Sequence, residues 1–383
     1  MKKISISLFF IFLLFGAYAQ NKKAYVAGSP ADFKQYGLKP GNIPEIWEDG
    51  IRTGGKEGTY EWWYFDAHME DGTTIVIIFY TKPFTQIKKG LTPFISINID
   101  KPDGTSIKKA HYGKVNEFSA SDKKCDVSIG KNYFRGDLKN YEIHFEDTEL
   151  KIDAKIQRTT ESWRPNTGHF RYGDEGYYFA WLIPVPKGKT EITYSYKAKT
   201  YNLQGSCYHD HNFGNKNMAE LINHWYWSRA EIGPYNLIAA ELISDKEFDS
   251  EPVVVFNISK DGKTIADNGE NVKLYRTYGK MQTIGEKPLS DILKFVYKSD
   301  NEDIKYEYTL KREKNIEELR ILDALVKNKF KRKLAKMLTG FDGAYFRMSG
   351  NANLKIYKKD CLIEEHTSDK AVWELMYFGE PYE

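Results

Sequence analysis

Short runs in which apolar and polar residues alternate fill most of this chain, and clusters of Gly, Asp, Asn and Pro separate them. A period of two marks a half-buried strand, whose successive side chains point to opposite faces. Tyr60 to Met69 and Thr73 to Thr81 flank Glu70-Asp71-Gly72, and Phe94 to Asp100 and Ser106 to Tyr112 flank Lys101-Pro102-Asp103-Gly104. Each pair reads as a hairpin. Further strands are expected at Tyr141 to Phe145, Leu150 to Gln157, Tyr177 to Pro184, Glu191 to Ala198 and Lys199 to Gln204. A second block begins near His224, with Trp225 to Glu231 and Tyr235 to Ile243 around Ile232-Gly233-Pro234. Pro252 to Ser259, Lys263 to Ala266, Lys294 to Lys298 and Tyr306 to Lys311 continue it, and Ala344 to Met348, Leu354 to Lys358 and Ala371 to Phe378 close it.

The period changes once. Leu322, Leu325, Val326, Phe330, Leu334, Met337 and Leu338 recur at three- and four-residue steps and Gly340 fits a stop, so the spacing predicts a helix over 322–338. Its other face carries Lys327, Lys329, Lys331, Arg332, Lys333 and Lys336. Such a face is either solvated or suited to peripheral contact with an anionic membrane. Residues 20–48 hold Pro30, Pro40 and Pro44 with little periodicity and read as an irregular lead-in. The absence of an obvious internal repeat argues against a propeller or solenoid. The reading is a mainly β protein, with two β-barrels or sandwiches in tandem at 49–222 and 223–383 and a short helix in the second. Barrels of about eight strands hold one small ligand.

The leader, charge, aromatic content and cysteines sharpen this in four ways. Lys2 and Lys3, the apolar run Ile4 to Phe15 and Ala17-Tyr18-Ala19 form a secretory signal over 1–19, which implies a periplasmic or secreted protein. The formal net charge of +3, spread along the chain, gives no argument for a nucleic-acid partner. Aromatic residues make up 15% of the chain, with 27 Tyr, enough to line large apolar cavities. Cys125, Cys207 and Cys361 lack any zinc spacing, and their odd count leaves at least one thiol outside an internal disulfide.

Three stretches carry candidate chemistry. In "EWWYFDAHM" one strand face holds Glu61, Trp63, Phe65 and Ala67, and the other holds Trp62, Tyr64, Asp66 and His68. Both are aromatic, so one packs on a partner sheet and the other lines a cavity, or both are core. Asp66 needs a partner in either case, because a carboxylate among aromatics is otherwise destabilising. In "GSCYHDHNFGN" His209, His211 and Phe213 share one parity, and Tyr208, Asp210 and Asn212 the other. This run is a polar turn, a metal site completed by a residue such as His224, or an acid/base centre in which Asp210 or Asn212 fixes a histidine tautomer. In "NHWYWSRAEIGPYNLIAAEL" Trp225 and Trp227 share a face with Arg229, and Glu241 sits among apolar residues where burial would keep it protonated.

Taken in order, "EWWYFDA", "GYYFAWLIPVPKG", "GSCYHDHNFGN", "WYWSRAEIGPYNLIAAEL" and "AVWELMYF" resemble the carotenoid 1,2-hydratase (hydroxyneurosporene synthase) and AttH-like family, from about Gly58 to Phe378. Fungal cyclases that perform Diels–Alder reactions and tocopherol cyclase share that broad fold group. The resemblance implies two lipocalin-like (calycin-type) β domains around a cavity for a hydrophobic isoprenoid- or polyene-like molecule. It also implies acid/base hydration, isomerisation or cyclisation of that molecule without cofactor or metal. By the resemblance His211 occupies the position of the family's histidine. Phe213 stands where the hydratases keep Trp, and Ala239 and Glu241 stand where they keep Tyr and Asp. The expected catalytic residues are His211, Glu241 and Asp66, with Trp62, Trp63, Tyr64, His209, Phe213, Trp225 and Trp227 around the substrate. A non-catalytic binder of an apolar ligand and a pericyclase acting through shape are the alternatives.

Overall fold

The computed structural model describes residues 23–277, 286–299, 303–325, 328–339, 341 and 343–379. The leader at 1–19 and Val326, Lys327 and Gly340 of the expected helix lie outside these residues. The first sheet is built from β1 (Ala24–Val26), β2 (Tyr60–Met69), β3 (Thr74–Tyr80), β4 (Phe94–Asp100), β5 (Ser106–Tyr112), β6 (Phe118–Ala120), β7 (Asp126–Ile129), β8 (Asn132–Gly136), β9 (Asn140–Glu146), β10 (Leu150–Arg158), β11 (His169–Tyr172), β12 (Tyr177–Tyr196) and β13 (Lys199–Gly214). Its order is β5-β4-β3-β2-β13-β12-β10-β9-β8-β7-β6, with β11 on β12 and β1 on β11. The second contains β14 (Ile222–Ile232), β15 (Tyr235–Ser244), β16 (Pro252–Lys260), β17 (Lys263–Ala266), β18 (Val272–Arg276), β19 (Ile292–Lys298), β20 (Ile304–Arg320), β21 (Ala344–Lys358) and β22 (Cys361–Tyr377), in the order β17-β16-β15-β14-β22-β21-β20-β19-β18.

Both sheets are antiparallel and curled, the lipocalin-type arrangement. Alternation explains why each has a core of its own. Trp63, Phe65, Ala67 and the inward Ile75, Ile77 and Ile97 fill the first, and Leu237, Ala239, Phe256, Phe295 and Trp373 fill the second. The outward parity of the central strands is also apolar. Trp62, Tyr64, Trp181, Trp225, Trp227 and Leu242 belong to a third cluster, which joins the sheets face to face.

Several expectations need correction. Part of the stretch read as irregular is ordered into β1, helix α1 (Pro30–Tyr36) and a 3-10 turn at Ile46–Asp49. Ser29 caps α1 with a reciprocal Asp32 contact, and Gly37 ends it in the left-handed region. The strands expected on either side of Pro184 and Pro186 are one strand, β12, with register shifts at Leu182/Val185 and Val185/Gly188. Bulges let proline, which cannot donate to the ladder, remain within a strand. The "GSCYHDHNFGN" run is not a turn: nearly all of it is extended at the end of β13. A short helix α2 (Met218–Leu221) leads into β14, and the expected single helix is two, α3 (Ile321–Leu325) and α4 (Lys329–Thr339). All three cysteines are free, with Cys125 and Cys207 buried and Cys361 exposed.

Candidate functional site

Strand register assembles the walls of an aromatic cavity of about 280 Å³ between the sheets. On β2 and β13, Trp62 pairs with Asn212, Tyr64 with Asp210 and Asp66 with Tyr208. On the flanking strands Tyr80 pairs with Trp62, Ile78 with Tyr64 and Trp181 with Asn212. Paired residues share a face, so one wall carries the rings of Trp62, Tyr64, Tyr80, Trp181 and Tyr208 around the Asp210 carboxylate. The opposite wall follows the same rule. Trp225 lies across from Leu242 and Met376, and Trp227 across from Ala240 and Glu374. Phe84, Phe179, Met218 and Tyr345 complete the lining.

Asp210 is the polar centre of this space. Trp181 Nε1 and Tyr208 Oη each donate to its Oδ2 at 2.9 Å, and Asn212 Nδ2 donates to Oδ1 at 2.6 Å. Burial pushes its pKa up to about 6, even though those donors and the charge of His209 favour the carboxylate. Glu374 answers it from the second sheet. Burial raises its pKa too, against the Tyr345 phenol that donates to Oε2 at 2.7 Å and the nearby charge of Arg347. Two carboxyl groups with pKa values shifted toward neutrality, among aromatic faces, can hold and transfer a proton in a site poor in water.

A second chamber of about 250 Å³ adjoins the first and shares Tyr64, Ile78, Trp227, Tyr345 and Glu374 with it. Asp66 lies here. The partner that its aromatic setting requires is Arg229 of β14, whose Nη2 forms an ion pair with Oδ1, while Tyr64 Oη donates to Oδ2 at 3.2 Å. The Arg229 guanidinium also sits 5.1 Å from the Tyr208 ring. This contact pins the sheets together beside the aromatic cavity.

His211 and His209 point the other way, into the first core, where both are fully buried. His211 Nε2 lies 2.8 Å from Glu61 Oε1, its Nδ1 lies 3.4 Å from Asp49 Oδ1, and its ring stacks on Trp63 at 4.6 Å. His209 donates through Nδ1 to the Tyr64 carbonyl at 2.8 Å and reaches Asp49 Oδ2 at 3.3 Å, which also accepts from Tyr141 Oη at 2.6 Å. Burial disfavours the charged forms here, yet the ion pairs win: Asp49 is held at about 2 and His211 is raised. Glu61 is tied further by the backbone N–H groups of Arg52 and Thr53 at 2.6 and 2.8 Å.

Neither histidine lines the aromatic cavity. Trp63, likewise expected beside the substrate, is core and donates to the Asp49 carbonyl at 3.0 Å. Phe213 lines a different cavity of about 310 Å³ with Tyr36, Trp47, Arg164 and His169. Glu241 turns to the second core and accepts from Arg276 Nη1 at 2.8 Å, with its pKa raised by burial. The expected residues that meet in the aromatic cavity are therefore Trp62, Tyr64, Trp225 and Trp227. Asp210, weighed from sequence only as a partner for histidine, and Trp181, Tyr345 and Glu374, not singled out at all, were missed. The available signals were Glu374, a lone acid in the apolar run Ala371 to Phe378, and Asp210, on the parity opposite to the two histidines.

Asp49, Cys125 and His209 bring three potential metal-ligating atoms within 4.8 Å of one another. The donor set suits a closed hydrogen-bonded cluster better than a cation. Asp49 Oδ2 already receives Tyr141, and burial pushes the Cys125 thiol well above its ordinary range, so it stays protonated. His224 joins no such cluster among the described residues and stacks on Tyr377 at 4.5 Å. A larger open groove of about 1020 Å³ lies near Lys155, Lys187 and Gly233.

A family model described as Diels-Alderase-like matches residues 56–277, more than half of the chain. A hydroxyneurosporene dehydrogenase of Chlorobaculum tepidum is 27% identical over 205 residues, covering 45% of this chain and 53% of that protein, so the match spans about half the relative's length. Among solved structures, CghA superposes with a TM-score of 0.57 at 11% identity, covering 89% of this chain and 96% of its own. A putative AttH from Nitrosomonas europaea gives 0.56 at 10%, covering 88% and 98%. Kievitone hydratase from Nectria haematococca gives 0.51 at 12%, covering 88% and 94%. At these identities the structures establish a shared fold, the AttH-like one.

Proposed function

Because the chain belongs to the Diels-Alderase-like family, we propose that it is an enzyme that takes a hydrophobic, isoprenoid- or polyene-like molecule between its two sheets and acts on a double bond by acid/base chemistry. The observation that carries this reading is Asp210, a buried carboxyl with a pKa of about 6 in an aromatic cavity. Protonating an alkene creates a carbocation, and desolvated aromatic faces such as those of Trp62 and Trp225 favour a cation by up to about 2 kcal/mol each. Asp210 and Glu374 supply one carboxyl from each sheet. One donates the proton; the other receives it from water, giving hydration, or from carbon, giving an isomer or cyclised product. His211, Glu241 and Asp66 take positioning roles: the first braces β13 against β2, the second the core of the second sheet, and the third the junction between sheets. The names of kievitone hydratase and of the Chlorobaculum tepidum relative fit a substrate of this kind.

A second reading, a pericyclase that works by shape, draws support from the three donors already held by Asp210, which favour an anchored carboxylate over a mobile proton. Incubation with a panel of isoprenoid alkenes and polyenes in heavy water separates the readings by mass spectrometry. Hydration adds one heavy water, isomerisation or cyclisation through a cation leaves deuterium on carbon, and a pericyclic reaction leaves none. Binding without any product across the panel, with Asp210→Asn indistinguishable from the unaltered protein, would remove the enzymatic reading.

Two further features belong to this reading. Export is inferred from the basic start, apolar run and Ala17-Tyr18-Ala19 of the leader. Contact with an anionic lipid surface is inferred from α4, where Phe330 and Met337 are 77% and 73% exposed, a heptad apart, among Lys329, Lys331 and Lys333. Phe341, just beyond α4, lies 6.5 Å from Phe378, whose ring is 5.2 Å from Trp225. A lipid-bound α4 would stand beside the cavity that receives the apolar substrate. Co-sedimentation with phosphatidylglycerol vesicles, lost in the Phe330→Asp variant, is the expected result.

A further inference from the structure

The cavity of about 310 Å³ that Phe213 lines sits on the face of β13 opposite to Asp210, beneath the segment that precedes β2. Register builds its floor. His169 of β11 pairs with Ala180 of β12, Ala180 pairs with Phe213, and Tyr178 lies two residues from Ala180, so these side chains share one face. Tyr36, Leu38 and Trp47 of the N-terminal segment form the outer wall. Arg164 fastens that wall. Its guanidinium pairs with Glu48 at 2.8 Å and donates to the Gly41 and Lys39 carbonyls at 2.7 and 2.9 Å. Arg52 is likewise engaged, donating to the Gly50 and Asp122 carbonyls at 2.9 and 2.5 Å.

Two polar atoms of the lining are not engaged in this way. His169 Nδ1 lies 2.9 Å from the Thr167 carbonyl, which can only accept, so Nδ1 carries the proton and Nε2 keeps a lone pair. Burial holds the His169 pKa down at about 4, so the ring is neutral near neutral pH. Burial pushes the Tyr178 phenol up to about 12, so it stays a donor. Among the described residues neither His169 Nε2 nor Tyr178 Oη has a hydrogen-bond partner, and the two rings lie 5.2 Å apart. Tyr36 stacks on the His169 ring at 3.6 Å and Phe213 meets it edge-on at 5.6 Å. We propose that this cavity is a second ligand site, which takes a neutral aromatic ring bearing a hydroxyl group, a phenol. The ring lies among Tyr36, Trp47 and Phe213, its O–H donates to His169 Nε2, and its oxygen accepts from Tyr178 Oη. An anion would need a free cation, and Arg52 and Arg164 are both engaged. A sugar would need a polar partner for each of several hydroxyls. The volume suits one small ligand. This site goes beyond the reading of the aromatic cavity, with whose lining it shares only Trp181.

The test is calorimetric binding of 2-naphthol against 2-methoxynaphthalene, which keeps the ring and the acceptor oxygen but has no O–H to donate. Naphthol should bind the unaltered protein roughly tenfold or more tighter, because the ether leaves His169 Nε2 unpaired. His169→Phe keeps a ring against Tyr36 and deletes the acceptor, and should bring the two probes to parity. Tyr178→Phe should weaken both by a similar factor and keep the preference. Leu38→Trp, which fills the cavity from its half-buried outer wall, should abolish binding of both and serves if His169→Phe does not fold. Trp225→Ala, in the aromatic cavity, should change neither affinity. Equal binding of naphthol and ether by the unaltered protein, or a preference that survives both His169→Phe and Leu38→Trp, overturns the site. Binding that is lost in Trp225→Ala and kept in His169→Phe places the probe in the aromatic cavity, which overturns this site and upholds that one. If neither probe binds, this site falls, and the aromatic cavity still answers to its own panel of alkenes and polyenes.

Discussion

Tyr208, Asp210 and Asn212 share five residues of β13 with His209 and His211, yet the two sets inhabit different worlds. The first faces the second sheet across an aromatic cavity, and the second faces the interior of its own sheet, fully buried. Both sides hold carboxylates out of bulk water, with opposite results. Inside the core, Asp49 and Glu61 meet His209 and His211, and the mutual charges hold Asp49 at about 2. In the cavity Asp210 meets mainly neutral donors, and desolvation prevails, raising it to about 6. A buried charge that has found its counter-charge serves the fold, and one held short of it remains available for chemistry. Polarity alone does not distinguish the two; the partner does.

Turnover offers the sharpest way to break this comparison. Asp210→Asn keeps the shape and the acceptor for one side of its donor set but removes the titrating group, and should lower the rate of any product-forming reaction by roughly 10²- to 10⁴-fold. The fold should remain, as judged by an unchanged circular dichroism spectrum. His211→Ala measured beside it should keep a larger share of its activity per folded molecule. The reverse ranking would move the catalytic centre to the other face of β13.

Stability should show the opposite ranking. His211→Ala leaves Glu61 and Asp49 without their shared partner inside a closed core, a change that typically costs about 3–5 kcal/mol. Urea denaturation of the two variants would give the order. If His211→Ala unfolds at the same urea concentration as the unaltered protein, the core cluster is not the brace described here.

The same contrast predicts two pH signatures of different sign. The Asp49 carboxyl is depressed on folding, so its stabilisation is present above about pH 4 and is lost as pH falls through about 2. His211 is raised, so its contribution is present below about pH 6.5 and is lost as pH rises through its folded value. Asp210 is also raised. Its ionisation is disfavoured in the fold, which costs about 3 kcal/mol gradually as pH rises from about 4 to 6. Thermal melts across this range should therefore lose part of their slope in Asp210→Asn while keeping the acid limb set by Asp49.

How far this was legible in the chain follows from which interactions are local. The alternation of "EWWYFDAHM" and the hairpin at Glu70-Asp71-Gly72 are local, and β2 runs over the expected residues. Parity also separated Tyr208, Asp210 and Asn212 from His209 and His211. What no local pattern states is which side of β13 receives the second sheet. That depends on Arg229 meeting Asp66 and on the Trp225 face docking against the Trp62 face, contacts between residues some 160 positions apart. Attention to histidine as the usual acid/base residue then favoured the wrong side for the cavity. The length of β12 was missed for another physical reason: the expected strand stopped at Pro184, while β12 absorbs Pro184 and Pro186 at bulges.

Phe213 gives the smallest expected effect and the finest test. It shares parity with His211, lies 5.3 Å from that ring, and lines the cavity of about 310 Å³ beside His169 and Tyr178, away from Trp62 and Trp225. Phe213→Trp enlarges a ring that has room on that side, so it should change stability by no more than about 1.5 kcal/mol. Because the side chain does not line the aromatic cavity, ligand affinity measured by tryptophan quenching should stay within roughly twofold, well under 1 kcal/mol. A several-fold change in affinity, or the appearance of hydration where Phe213 gave none, would mean that the face of β13 turned to the first core reaches the substrate after all. The separation between structural and reactive faces would then fail at its nearest point.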